Sequence, residues 1–176
     1  FVPQGMSHEE ITRRFDAFYE DGFHTLKPLF KPAPGLKALF DYLKTRPVTI
    51  VLASNPMWPE YVQKLRAEWA GLDSDLFHYI THVRNSHYCK PLPEFYQEVC
   101  DALSLDPEAC MMVGNDPVND MAAGKTGMKT YLTTDGLEYD KSNLAMSKRI
   151  REAHDDALVK PDFTGKIGDL MDVLTI

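Results

Sequence analysis

Two aspartates, Asp116 and Asp120, stand four residues apart directly after an apolar run, residues 109–113, within the octapeptide Val113-Gly114-Asn115-Asp116-Pro117-Val118-Asn119-Asp120. Carboxylate oxygens suit a hard cation such as Mg²⁺, which usually takes one or two protein acids and completes its shell with water and substrate phosphate. Chemistry on phosphate is therefore the leading expectation. Two other stretches carry groups of complementary kind. Ser54-Asn55-Pro56 puts a hydroxyl and an amide where the apolar run 48–53 stops, and Cys89-Lys90-Pro91 puts one lysine just ahead of the helix signal at Pro93.

The elements that must position these groups can be read from residue type and spacing. Cys110-Met111-Met112-Val113 is too short for a helix and reads as a buried strand, Gly114 lets the backbone turn, and Pro117 suits the first position of a helix. A helix is expected over residues 116–125, with Asp116 at its N-cap and Asp120 one turn on, on the same side. Both acids then face the carboxyl end of the strand, the edge where open parallel sheets bind ligands. Upstream, Ser7-His8-Glu9-Glu10 has the capping-box pattern, and Ile11, Phe15, Phe18 and Tyr19 fall on one helical face. A second helix carries Leu36, Leu39, Phe40 and Leu43, and the β-branched run 48–53 reads as a buried parallel strand. Pro59 opens a helix to about residue 70, residues 78–83 form a short strand, and Pro93 opens a helix with Tyr96, Val99, Cys100 and Leu103. Residues 128–132 give a further strand, 135–160 a polar loop with one exposed helix, and Ile167, Leu170, Met171 and Leu174 a closing amphipathic helix. This alternation predicts an α/β fold with a doubly wound parallel sheet.

The whole chain sets bounds on function. Its 176 residues, 44% hydrophobic and 26% charged, are ordinary for one globular domain, or one domain with a small appendage. A net charge of −7, a pI of about 5.3 and scattered basic residues argue against nucleic acid as a partner. No apolar run reaches the roughly 20 residues of a membrane span, and no signal peptide is recognisable, so a cytoplasmic location is expected. Cys89, Cys100 and Cys110 lack C-x-x-C spacing and read as reduced thiols. Oligomeric state has no signal.

Ser54-Asn55, Lys90-Pro91 and the Asp116/Asp120 pair, in that order at strand ends, resemble motifs II, III and IV of the haloacid dehalogenase-like (HAD) superfamily over roughly residues 32–133. The match in motif IV is the most specific, because its continuation Met121-Ala122-Ala123-Gly124-Lys125-Thr126-Gly127-Met128-Lys129-Thr130 keeps acids, helix, Gly-Met and following strand in register. The resemblance implies a Rossmann-like core, here residues 32–176, with a remnant of a helical cap in residues 1–31. It implies a Mg²⁺-dependent phosphatase acting on a small phosphorylated metabolite through an aspartyl-phosphate intermediate. Ser54 would hydrogen-bond a phosphoryl oxygen, Asn55 would shape the loop or touch substrate, and Lys90 would neutralise phosphate and nucleophile. Asp116 and Asp120 would bind or orient Mg²⁺. Asn115 departs from the pattern, since many members place an acid directly after the glycine; either Asn115 or Asp116 takes the first ligand position, and the charge of Asp116 favours it.

The larger departure is the aspartate nucleophile, carried in such proteins by a D-x-D motif at the end of the central strand. Nothing in the chain matches it, and Asp16 and Asp21 lie in a helical segment with no strand before them. That strand lies between those of motifs II and IV, so its absence leaves two unpaired edges. Together with a chain that begins at Phe1, this favours a lost preceding segment over a protein built without it. The competing functions are a catalytically inactive binding or regulatory module and a haloacid dehalogenase, the latter leaving two acids in motif IV unexplained. His78, His82, His87 and Cys89 suit zinc by type but not by spacing in a strand and loop. Phe15, Phe18, Tyr19, Phe23 and Phe30 read as core packing, with Trp58 and Tyr88 near enough to the Ser54 and Lys90 loops to reach substrate.

Overall fold

The first helix, α1 (His8–Glu20), begins where Ser7 Oγ accepts the Glu10 N–H at 3.1 Å, as its capping pattern predicts. The structure, a computed structural model, describes residues 5–136 and 159–174. A 3₁₀ segment, Gly22–Leu29, follows, and together they lay Tyr19 and Phe23 on Val62 and Trp69 of α3 (Glu60–Trp69). Phe23 stacks on Trp69 at 5.3 Å between centroids, and Phe30 meets the same indole edge-on at 5.2 Å. The predicted apolar face of α1 is only partly used: Tyr19 is buried, while Phe15 and Phe18 are 56% and 47% exposed.

Between these segments α2 (Leu36–Leu43) packs Leu39 against Tyr131, Ile167 and Leu170. The strands are β1 (Val51–Leu52), β2 (Tyr79–Ile80), β3 (Met111–Gly114), β4 (Lys129–Thr133) and β5 (Phe163–Gly165), with α4 (Pro93–Leu103) before β3 and α5 (Leu170–Val173) closing the chain. Every pairing is parallel, which makes the fold α/β as predicted: β1 with β2, and β3-β4-β5 in order. Met111 to Gly114 register with Lys129 to Leu132, and Tyr131 to Thr133 with Phe163 to Gly165. Among the described residues β1 pairs only with β2 and β3 only with β4, so each keeps one edge without a ladder partner. Their side chains are correspondingly half-buried rather than fully buried. The main core lies between α4 and the Met121–Thr126 segment, where Phe95, Tyr96, Cys100, Ala122 and Ala123 meet.

Several local expectations are corrected. The strand expected over residues 48–53 is reduced to Val51–Leu52, because Ile50 N–H donates to the His78 ring at 3.1 Å instead of to a strand. The strand expected over 78–83 ends at Ile80, where Asn85 draws the chain into a turn, its Oδ1 taking His82 N–H at 2.7 Å and its Nδ2 donating to Ile80 O at 2.9 Å. The helix expected over 116–125 is instead a tight turn followed by a 3₁₀ segment, Met121–Thr126, ended by Gly127 at φ 94°. The closing helix is a 3₁₀ turn, Ile167–Asp169, running into α5, and β5 lies ahead of it where no strand was foreseen. The exposed helix expected within 135–160 falls mostly outside the described residues. No helix among them is long and apolar enough to cross a membrane.

Candidate active site

The three strand-end loops converge. Asn55, just beyond β1, accepts the Lys90 backbone N–H on Oδ1 at 2.8 Å, which ties the first loop to the second. Lys90 then reaches the third: its Nζ lies 2.7 Å from Asp120 Oδ1, in a pair whose side chains are 7% and 9% exposed. The other oxygen of Asp120 accepts the Asp116 backbone N–H at 2.9 Å. Both oxygens of Asp120 are thus committed, one to a cation and one to its own loop.

Asp116 explains why a turn replaces the expected helix. Its Oδ1 accepts N–H groups from Val118 and Asn119, each at 2.8 Å, and its Oδ2 accepts the Asn119 side-chain amide at 2.5 Å. A carboxylate capping its own next residues competes with helical bonding. Asp116 is 5% exposed, so the carboxylate is held and largely desolvated. Gly114 makes room for this arrangement: a Cβ there would lie 2.0 Å from Asp120 Oδ2. Tyr96 of α4 supports the turn from beneath by donating its hydroxyl to Asn119 O. Burial, and then the charges of Asp120 and Asp116, push the Tyr96 phenol well above its ordinary range, so it stays a donor. Asn115 turns outward, its Nδ2 donating to Gly136 O at 2.6 Å.

At the first loop Ser54 is held by its backbone. Its N–H donates to Thr81 Oγ1 at 2.9 Å, leaving the hydroxyl for other partners. Behind it Gln63, fully buried, donates to Thr81 O at 3.2 Å and Asn55 O at 3.4 Å, and Arg66 donates to Gln63 Oε1 at 2.7 Å. Thr81, Gln63, Arg66, Asn119 and Tyr96 were not singled out by sequence reasoning. Apart from the Arg66–Gln63 bond within one helix, their contacts span 8 to 29 positions or depend on a turn of unexpected type, and no local pattern announces them.

The suspected His/Cys group is not assembled. His78 accepts from Ile50 N, His82 lies 3.8 Å from Glu60, His87 pairs with Glu98 at 2.5 Å, and Cys89 is exposed. Among the described residues no three of His, Cys, Asp and Glu form a metal-holding group. The carboxylates of Asp116 and Asp120 are of the chemical type a hard cation takes when it keeps most of its shell as water and substrate, whereas Asn115 turns away from them. The residues fit Mg²⁺ in that restricted sense.

The sequence profile of haloacid dehalogenase-like hydrolases matches residues 5–127, about 70% of the chain. The chain belongs to this family. Its fold agrees with solved HAD structures. A predicted phosphoglycolate phosphatase from Haemophilus somnus is similar at 18% identity over 96% of this chain and 68% of that one, with a TM-score of 0.64. A β-phosphoglucomutase from Clostridium difficile is similar at 20% identity over 87% and 70%, with a TM-score of 0.56. An L-2-haloacid dehalogenase from Xanthobacter autotrophicus is similar at 21% identity over 80% and 59%, with a TM-score of 0.60. Comparison with curated proteins returned no match. At these identities the solved structures establish the HAD fold alone.

Proposed function

We propose that this HAD-like hydrolase is a Mg²⁺-dependent phosphatase of small phosphorylated metabolites, with its site at Ser54, Asn55, Lys90, Asp116 and Asp120. The observation that carries this reading is the buried Lys90–Asp120 pair, joined through Asn55 to the Ser54 loop and through Asp120 to Asp116. Such a cluster would set a hydroxyl donor, a fixed cation and two acids around one phosphoryl group. Charge collects on the transferring oxygens, so catalysis depends on positioning and electrostatic stabilisation.

In this reading each side chain has a defined task. Ser54 donates its hydroxyl to a phosphoryl oxygen. Lys90 neutralises phosphate and nucleophile, Asp120 holds the Lys90 ammonium in place, and Asn55 fixes the backbone from which Lys90 projects. Asp116, whose Oδ2 accepts only the Asn119 amide and keeps a second lone pair, would meet Mg²⁺, while Asp120 orients. The chemistry that Mg²⁺ supplies when bound is neutralisation of charge at the phosphoryl oxygens. The aspartate nucleophile belongs, in this proposal, to a further parallel strand seated between the open edges of β1 and β3, forming the aspartyl-phosphate. Residues 1–31 act as the end of a helical cap that closes over small substrates, with residues 32–176 as core. The net charge of −7 favours such a substrate over nucleic acid, and a cytoplasmic location is part of the same proposal.

Dehalogenation is the weaker alternative, because it uses no Mg²⁺ and leaves the buried acid pair without a task. The test is phosphate release from an aryl phosphate by the protein with its upstream segment. An apolar strand ending in D-x-D encoded ahead of Phe1, and turnover that requires Mg²⁺ and is lost in Asp116→Ala, support the proposal. Mg²⁺-independent turnover, or activity that survives Asp116→Ala, overturns the site assignment.

A further inference from the structure

Arg66 is a cation held against the Ser54 loop with no acid among the described residues to balance it. Its guanidinium lies over the Trp58 ring at 4.0 Å from the centroid, donates to Gln63 Oε1 at 2.7 Å, and reaches Ser54 Oγ at 3.5 Å. Gln63 leaves it little freedom: both its amide donations go to backbone carbonyls, Asn55 O and Thr81 O, so Oε1 must face Arg66. Among the described residues no carboxylate lies within ion-pair distance of this guanidinium, whereas Lys90 has Asp120. Burial lowers the Arg66 pKa from its ordinary value, in keeping with a partly desolvated charge. A charge taken out of water without a counter-ion is unfavourable unless a ligand brings one. The contact to Ser54 also fixes a direction. A guanidinium has only donors, so one lone pair of Ser54 Oγ is occupied and its proton must point away from Arg66. The backbone N–H of Ser54 is already spent on Thr81, which leaves the hydroxyl proton as the donor that Ser54 itself offers outward.

We propose that Arg66 is a positioning residue of the phosphate site: by donating to Ser54 Oγ it commits the Ser54 hydroxyl to donate to a phosphoryl oxygen. This rests on the phosphatase reading and adds to it a residue from α3. The 3.5 Å separation is at the long end of a hydrogen bond, and such bonds tighten when the anion is bound. Neutral acceptors and an indole face hold the guanidinium without quenching its charge, so the full positive field acts on the hydroxyl.

The experiment is a double-mutant cycle on binding of inorganic phosphate to the full chain in the presence of Mg²⁺, read by calorimetry for wild type, Arg66→Met, Ser54→Ala and the double variant. Arg66→Met is expected to weaken phosphate binding about tenfold, the size of a charge-assisted hydrogen bond, and to cause little further loss when Ser54 is already alanine. Arg66→Lys, which keeps the charge and one donor, should recover part of the loss and carries the same cycle if the methionine variant does not fold. Unchanged phosphate affinity in Arg66→Met or Arg66→Lys, or losses that add in full with Ser54→Ala, overturn the role of Arg66 while leaving the phosphatase reading intact. Absence of phosphate binding by wild type overturns that reading and the inference together.

Discussion

Lys90 Nζ and Asp120 Oδ1 lie 2.7 Å apart in a pair almost closed to solvent, joining the loop before α4 to the loop after β3. Removing either partner leaves the other as an unpaired buried charge, which costs about 3–5 kcal/mol. Lys90→Ala and Asp120→Ala should each lower stability by that order in denaturant titration. The double variant should lose clearly less than the sum, because the second truncation removes the stranded charge. Additive losses would show that the pair is not coupled.

Gly114 is required by contact rather than by backbone angle. With a Cβ 2.0 Å from Asp120 Oδ2, Gly114→Ala must displace the carboxylate and with it the Lys90 ammonium. Overpacking of this kind costs about 1–3 kcal/mol. The expected outcome is a lower denaturation midpoint together with weakened phosphate binding, since stability and site share one carboxylate. A variant as stable as wild type would mean that the loop relaxes freely.

The β4–β5 junction should be acid-sensitive. Asp162 Oδ2 accepts both the Thr130 N–H at 2.9 Å and the Thr130 hydroxyl at 3.0 Å, and these bonds, backbone first, hold its carboxyl below the ordinary value of 3.8. A carboxyl depressed in the folded state contributes stability above the unfolded pKa and loses it as pH falls through the folded one. Stability measured from pH 5 down to about pH 2 should therefore fall less steeply in Asp162→Asn than in wild type. Asp162→Ala should also lose about 1–3 kcal/mol at neutral pH, because Thr130 is fully buried and its N–H would lack an acceptor.

Tyr96 supports the acid-bearing turn through its hydroxyl bond to Asn119 O. Tyr96→Phe keeps the ring packed against Phe95 and removes one donor, so a loss of about 0.5–1.5 kcal/mol is expected. The same variant should weaken Mg²⁺ binding measured by calorimetry, because Asn119 in turn holds Asp116. Loss of stability with unaltered Mg²⁺ binding would separate the turn from the site.

The sequence made the helices legible wherever caps and 3.6-residue periodicity agreed, as at Ser7 for α1 and Pro93 for α4. Of the residues grouped through the family resemblance, the structure joins Asn55 to Lys90 and Lys90 to Asp120. What escaped was set by side-chain capping of short turns and by packing between distant segments. Asp116 diverted the expected helix into a turn by capping Val118 and Asn119, and Asn85 cut β2 short from beyond its end. Phe163–Gly165 is too brief and too polar in context to signal a strand, and becomes one only by pairing with β4. Arg66 and Gln63 sit in an ordinary amphipathic helix, and only its packing aims Arg66 at Ser54 and Gln63 at Asn55 and Thr81.

The most direct test of the central claim, that the three loops form one Mg²⁺–phosphate site, is calorimetric titration of inorganic phosphate into the full chain with and without Mg²⁺, repeated with Asp116→Ala. The account predicts phosphate binding that weakens at least about tenfold, or 1.4 kcal/mol, when Mg²⁺ is removed, and that no longer responds to Mg²⁺ in Asp116→Ala. Phosphate affinity indifferent to Mg²⁺, or a Mg²⁺ effect preserved in Asp116→Ala, would contradict it.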